Sequence, residues 1–208
     1  MSAGLLLVGA SGLVREVLAA GITGVAGILD DDQTLHGSQI DGIPVVGAVS
    51  AATDRDESLL VCIGPSASRR SVVRRLAKSG VGLDRYATYV ARSARIGRTS
   101  TVAPGSILLD GVVVTADASI GHHVVVMPNC TVTHDCVLDD FATLAAGVAL
   151  GGSVRIRGAA YVGMNASIRQ GVEIGRGATV GMGAVVLADV PGDRTWAGVP
   201  ARELEARG

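Results

Sequence analysis

Aromatic side chains are scarce in this chain: Tyr86, Tyr89, Phe141, Tyr161 and Trp196 are the full set among 208 residues. That poverty argues against a stacking platform for single-stranded nucleic acid. A surplus of either charge is also missing. Eighteen Lys and Arg against nineteen Asp and Glu give a formal net charge of -1, so nothing drives the phosphate neutralisation on which nucleic-acid binding depends. Long apolar runs are absent too. Leu5–Val8 is too short to span a membrane, lacks a basic preceding region and is soon followed by Arg15 and Glu16, so neither a signal peptide nor a membrane partner is expected. Three cysteines, Cys62, Cys130 and Cys136, do not make a disulfide framework. The expected location is the cytoplasm.

What the chain has in abundance is glycine, 29 residues, and a period. An aliphatic residue occupies every sixth position from Val90 to Val186, passing through Ile96, Val102, Leu108, Val114, Ile120 and so on without a gap. Four residues after each comes a small side chain, from Ala94 to Val190, with Cys130 and Cys136 among them. Neither a 3.6-residue helix nor a two-residue strand gives this spacing. A six-residue repeat marks a solenoid of short flat strands meeting at tight corners, a parallel β-helix. Its narrow interior accounts for the aromatic poverty, and its corners for the glycine.

Residues 1–85 follow a different grammar. Leu5–Gly9 reads as a strand ending in Gly9-Ala10-Ser11-Gly12, followed by a helical pattern through Leu13, Val17 and Leu18. Further strands are expected at Val25–Leu29, Ile43–Val46 and Leu59–Ile63, and a helix from Ser66 to Lys78 capped by Ser66 or Ser68. This is the βαβ pattern of a small Rossmann-like domain. The expected organisation is α/β over 1–85, then an all-β coil over 86–208 packed against it.

Gly9-Ala10-Ser11-Gly12, between strand and helix, suits phosphate, because such a turn presents backbone N–H groups at a positive helix end; a tight turn alone fits the motif equally. Leu13 and Val14 precede Arg15 where the dinucleotide fingerprint asks for a final glycine, which disfavours NAD. Asp30 and Asp31 close the second strand, where a carboxylate can accept hydrogen bonds from ribose or base; Asp32 reads better as a solvated loop residue. Among four histidines, His36 falls in a polar loop, and His122 and His123 read as surface residues of a corner. His134, flanked by Thr133 and Asp135, has the makings of a general base, since an imidazole beside a carboxylate titrates near neutrality. An ordinary exposed polar residue fits that position equally. His122 and His134 stand two hexads apart, on different corners, so no metal site is expected.

The hexads, the step His134-Asp135-Cys136 and the tail Gly198-Val199-Pro200-Ala201-Arg202 together resemble the left-handed β-helix acyltransferases. Leu6-Leu7-Val8-Gly9-Ala10-Ser11-Gly12, Gly27-Ile28-Leu29-Asp30-Asp31-Asp32, Asp41-Gly42-Ile43-Pro44-Val45-Val46-Gly47 and Val61-Cys62-Ile63-Gly64 with Arg69-Arg70 look like the sugar acyltransferases of the NeuD/PglD type. The resemblance spans essentially the whole chain. It implies acetyl-CoA-dependent transfer to an amino or hydroxyl group of a nucleotide-linked sugar, a left-handed coil and a homotrimer with sites between subunits. It also implies that His134 is the base and Asp135 its acidic partner. Gly152, Met164 and Met182, with Gly198, Pro200 and Arg202 of the tail, would contact acetyl-CoA; Gly12, Asp30, Asp31, Ile63, Gly64 and Ser66 would surround the nucleotide sugar. Two positions depart from the family pattern: Leu13 and Thr143 stand where members carry histidines. Two other readings accompany this one, a non-catalytic nucleotide-sugar-binding scaffold of the same fold and a metal-dependent hexapeptide lyase.

Overall fold

The computed structural model describes residues 4–204. Its N-terminal part is a twisted sheet in the order β3-β4-β2-β1-β5, built from β1 (Leu5–Val8), β2 (Val25–Leu29), β3 (Gln39–Ile40), β4 (Ile43–Gly47) and β5 (Ser58–Val61). All neighbours run parallel except the short hairpin β3-β4, which the apolar pattern alone does not mark. Helix α1 (Gly12–Ala19) follows β1 and buries Leu13, Val14 and Val17. Helix α2 (Ser66–Lys78) follows β5 and buries Val73 and Leu76. The expected serine cap of α2 is not formed. Pro65 takes the cap position with no side-chain bond, and the Ser66 hydroxyl turns instead to Thr143 Oγ1, 2.8 Å away.

From Tyr89 onward the chain winds into a three-sided coil, two-residue strands pairing in parallel with strands eighteen residues further on, as Val113 does with Thr131 and Thr131 with Ala149. We call the three sides the first face (strands from Arg95–Ile96 to Val185–Val186), the second face (Thr101–Val102 to Glu173–Ile174) and the third face (Tyr89–Val90 to Arg202–Glu203). The aliphatic series and its small partners stack into one continuous core from Leu108 to Val190, with Cys130 and Cys136 inside it. Val90 is left out because it forms the open lower end.

Corners obey a second six-residue rule. From Gly105 to Gly183 every sixth residue has a positive φ, fourteen in succession. Glycine, Asn and Asp fill ten of them, as the left-handed region favours. The aromatics at this position, His123 and Phe141, sit one above the other on the corner between the second and third faces, ring centroids 5.1 Å apart. Tyr86 meets His123 edge-on at 4.5 Å. His123 is therefore buried, not a surface residue: the N-terminal sheet lies over that corner, and Leu7, Leu13 and Leu60 share a core with Ile107, Leu109 and Val125 of the third face.

Arg69 of α2 fastens the two parts. Fully buried, it donates from Nε to His123 O (2.8 Å), from Nη1 to Ile63 O (2.7 Å) and Gly64 O (2.8 Å), and from Nη2 to Phe141 O (2.9 Å), Ala142 O (3.2 Å) and Thr143 Oγ1 (2.8 Å).

Candidate active site

His134 stands at the corner between the first and second faces, just after the strand Thr131–Val132. Its neighbour Asp135 takes one of the left-handed corner conformations, φ 61°, and at this bend the adjacent side chains meet: His134 Nδ1 lies 2.7 Å from Asp135 Oδ2. A carboxylate accepts only, so Nδ1 carries a proton, and in the neutral ring Nε2 keeps its lone pair. Both side chains are open to solvent, 64% and 57% exposed. Directly against the ring lies Gly152, one full coil later. A methyl group there would come within 2.4 Å of the imidazole Cε1, so glycine at this position makes room for the ring.

The second feature is a cleft of about 1050 Å³ between the N-terminal sheet and the third face. Its N-terminal wall is made by Ser11, Gly12 and Leu13 after β1 and by Gly64, Pro65, Ser66 and Ala67 after β5; its floor includes Val125, Thr143, Tyr161 and Thr179, successive outward residues of the third face. Two helix amino ends, α1 and α2, thus converge on one cavity without a side-chain cap on either. Uncapped N–H groups at a positive helix end favour an anion. Glu16 of α1 also lines the cleft, and its partial burial raises its pKa above the usual carboxylate value.

The sequence-predicted residues fall into four places. Gly12, Gly64, Ser66 and Met164 line the cleft. Ile63 lies behind its wall, giving its carbonyl to Arg69. Asp30 and Asp31 sit outside the lining and tie loops together: Asp30 accepts from the N–H groups of Ala10 (2.6 Å) and Asp32 (2.8 Å), while Asp31 accepts from Val49 N and pairs with Arg75. Met164 and Met182 occupy equivalent positions on successive coils at the corner between the third and first faces, both exposed. Gly198, Pro200 and Arg202 follow at the end of the coil, where Gly198 O accepts from Val185 N and the strand of Arg202 pairs back on Trp196–Ala197. His134, Asp135 and Gly152 are at the other edge of the first face, out of the cleft. Pro65, Ala67, Glu16 and Tyr161 were missed as cleft residues. The eighteen-residue repeat, three hexads, would have found Tyr161 and Thr179 from Val125 and Thr143; no sequence signal marks Glu16.

Among the described residues no group of three or more His, Cys, Asp or Glu is placed to hold a metal ion, and no helix is long and apolar enough to cross a membrane. A hexapeptide coil joined to a Rossmann-like sheet, with a histidine–carboxylate pair on one corner, is the layout of an acyltransferase.

Comparison with solved structures narrows this. The acetyltransferase domain of PglB from Neisseria gonorrhoeae FA1090, in complex with acetyl coenzyme A, superposes with a TM-score of 0.88 at 30% identity, over 98% of this chain and 100% of that one. A variant of perosamine N-acetyltransferase from Caulobacter crescentus, in complex with CoA and GDP-perosamine, gives 0.87 at 29% identity, over 97% and 96%. WeeI from Acinetobacter baumannii AYE gives 0.86 at 29% identity, over 98% and 100%. No protein-family model and no curated protein matches the chain. The chain belongs to the sugar acetyltransferases of the left-handed β-helix, hexapeptide-repeat class.

Proposed function

We propose that the protein transfers the acetyl group of acetyl-CoA to an amino or hydroxyl group of a nucleotide-linked sugar, with His134 as general base. The observation that carries this is the His134–Asp135 pair, whose free Nε2 stands at an open corner of a chain that matches, over its full length, a protein holding acetyl coenzyme A. Asp135 holds the ring in one tautomer and stabilises the imidazolium formed when Nε2 takes the proton of the attacking group. The nitrogen or oxygen bonds to the acetyl carbon, the tetrahedral oxyanion rests on backbone N–H groups, and its collapse expels the CoA thiolate. The cleft receives the nucleotide sugar, its diphosphate at the amino ends of α1 and α2; the similar Caulobacter enzyme was solved in complex with GDP-perosamine.

The site is completed by a second copy. His134 with Gly152, and Met164 with Met182, flank the first face on opposite edges. Above Arg95 at its lower end, the outward residues of that face, Val113, Thr131, Ala149, Ser167 and Val185, carry no charge. In a homotrimer closed about the first face, the His134 corner of one copy meets the Met164 corner and cleft mouth of the next. Acetyl-CoA then lies between them, along Gly152 on one side and Met164, Met182, Gly198, Pro200 and Arg202 on the other. Three free, buried cysteines accord with a cytoplasmic protein.

The test is release of free thiol from acetyl-CoA in the presence of UDP-, GDP- and dTDP-linked amino sugars. One sugar should support turnover, and His134→Ala should lower kcat by about 10²–10⁴-fold while CoA still binds. Full activity in that variant refutes the base; absence of thiol release with every sugar refutes the substrate class.

A further inference from the structure

Among the described residues no basic side chain lines the cleft. Its charged members are Glu16 and Asp110, both acidic, although the function proposed above, on which this inference rests, has it take a diphosphate. A cation stands behind the wall instead. Arg69 is fully buried, and none of its six acceptors is a carboxylate. Burial lowers its pKa to about 9, so it stays charged at neutral pH. A sealed guanidinium without a counter-charge is costly, and domain docking alone could be done by neutral groups.

The contacts of Arg69 lead to the cleft by two routes. Nη1 donates to Ile63 O at 2.7 Å. In a planar trans peptide the N–H points away from the C=O, so the N–H of Gly64 is directed away from the guanidinium and is polarised by it. Gly64 lines the cleft, and among the described residues its N–H has no acceptor. The second route is a hydroxyl chain. Arg69 can only donate, so Thr143 Oγ1 accepts from Nη2, and it lies 2.8 Å from Ser66 Oγ in a hydrogen bond that either hydroxyl can donate. Ser66 is the first residue of α2, its N–H also unpaired. Both routes connect the guanidinium to the same turn.

We propose that Arg69 is the positioning cation of the diphosphate subsite, acting on the bound phosphates through the Gly64 N–H and the Thr143–Ser66 hydroxyl pair. A bound diphosphate is then the counter-charge that the folded chain alone does not provide.

Titration calorimetry with inorganic pyrophosphate, GDP, UDP, guanosine and uridine tests this on wild type, Arg69→Met, Arg69→Lys and Thr143→Val. Arg69→Met should weaken pyrophosphate and the nucleoside diphosphate that binds by at least about tenfold and leave the nucleoside unchanged. Arg69→Lys should recover most of the loss, and Thr143→Val should show a smaller loss of the same selectivity. Equal losses for nucleoside and diphosphate would make Arg69 a domain fastener only and overturn the proposal. Should Arg69→Met fail to fold, the wild-type amide spectrum decides: pyrophosphate should move the Gly64 N–H resonance downfield, and an unmoved resonance overturns the proposal. Pyrophosphate binding with these signatures but no acetylation of any nucleotide sugar would sink the functional reading and leave this one standing. Acetylation without them would do the reverse.

Discussion

Gly152→Ala tests the geometry of the proposed base without touching the base. The φ of Gly152 lies outside the left-handed region, so alanine strains no backbone there. The added methyl would sit 2.4 Å from Cε1 and 2.5 Å from Nε2 of His134. An ordinary Cβ contact begins at 3.4 Å, so the ring must retreat by 3.4 − 2.4, that is about 1 Å. The ring is 64% exposed and swings more easily than the coil deforms, so it should leave its 2.7 Å contact with Asp135. A displacement of about 1 Å in a catalytic group costs on the order of 10²-fold, whereas an exposed side chain moved into water changes stability by no more than about 0.5 kcal/mol.

The expected result is therefore a kcat about a hundredfold lower with a melting temperature nearly unchanged. Gly158→Ala is the control, since its methyl would meet nothing nearer than 3.6 Å and should be silent in both assays. Thiol release measures kcat, and direct binding of CoA separates a lost base from a lost cofactor contact, because the family resemblance also places Gly152 beside acetyl-CoA. If Gly152→Ala turned over at the wild-type rate with its ring shown to be displaced, His134 would not be the base. If kcat and the melting temperature fell together, the methyl would have deformed the coil and the ring argument would fail.

Two further outcomes follow from the same contacts. His123 is buried, both ring nitrogens without a partner among the described residues, and desolvation, then His122 and Arg69, pulls its pKa down from 6.5 to about 4. The neutral form is favoured by folding, so this contribution is present above pH 6.5 and is lost as pH falls towards 4. Over 6.5 − 4 = 2.5 units this amounts to roughly 3 kcal/mol, and His123→Phe, with Phe141 already tolerated at the equivalent corner, should flatten the pH dependence of the urea midpoint across that window; an unchanged slope refutes the assignment. Mixed oligomers test the shared site: co-expressing His134→Ala with a cleft-blocking Ala67→Trp should restore about a quarter of the active sites in a random trimer, whereas no recovery would mean that base and cleft belong to one chain.

Most of the coil was legible because its period is imposed by packing. A residue that must face the narrow core of the coil cannot drift by one place without exposing itself, so Val114, Val132 and Leu150 are readable as inward without coordinates. The histidine pair was legible in part for the same reason: knowing which hexad positions face inward leaves His134 outside, beside a carboxylate. Legibility ended where the second domain covers the coil. His123 occupies a corner position that would be exposed in an isolated coil, and only the overlying Tyr86 and α2 bury it. Arg69 likewise reads as one charge in a basic helix, since its six acceptors include four residues at least 54 positions away.

The family's second histidine position, Thr143, shows what such contacts do to a substitution. Read along the chain it is the loss of a titratable side chain near the chemistry. In the fold it is a hydroxyl, 3% exposed, held between Arg69 and Ser66 at the floor of the cleft. An imidazole buried there would be forced neutral, as His123 is, chiefly by desolvation and then by its charged neighbours. A threonine accepts from Arg69 and stays hydrogen-bonded to Ser66 at any pH, so this chain can keep the polar connection from coil to cleft while giving up a group that titrates. The departure that along the chain resembles decay is, in three dimensions, a different way of tying the coil to the wall of the same cavity.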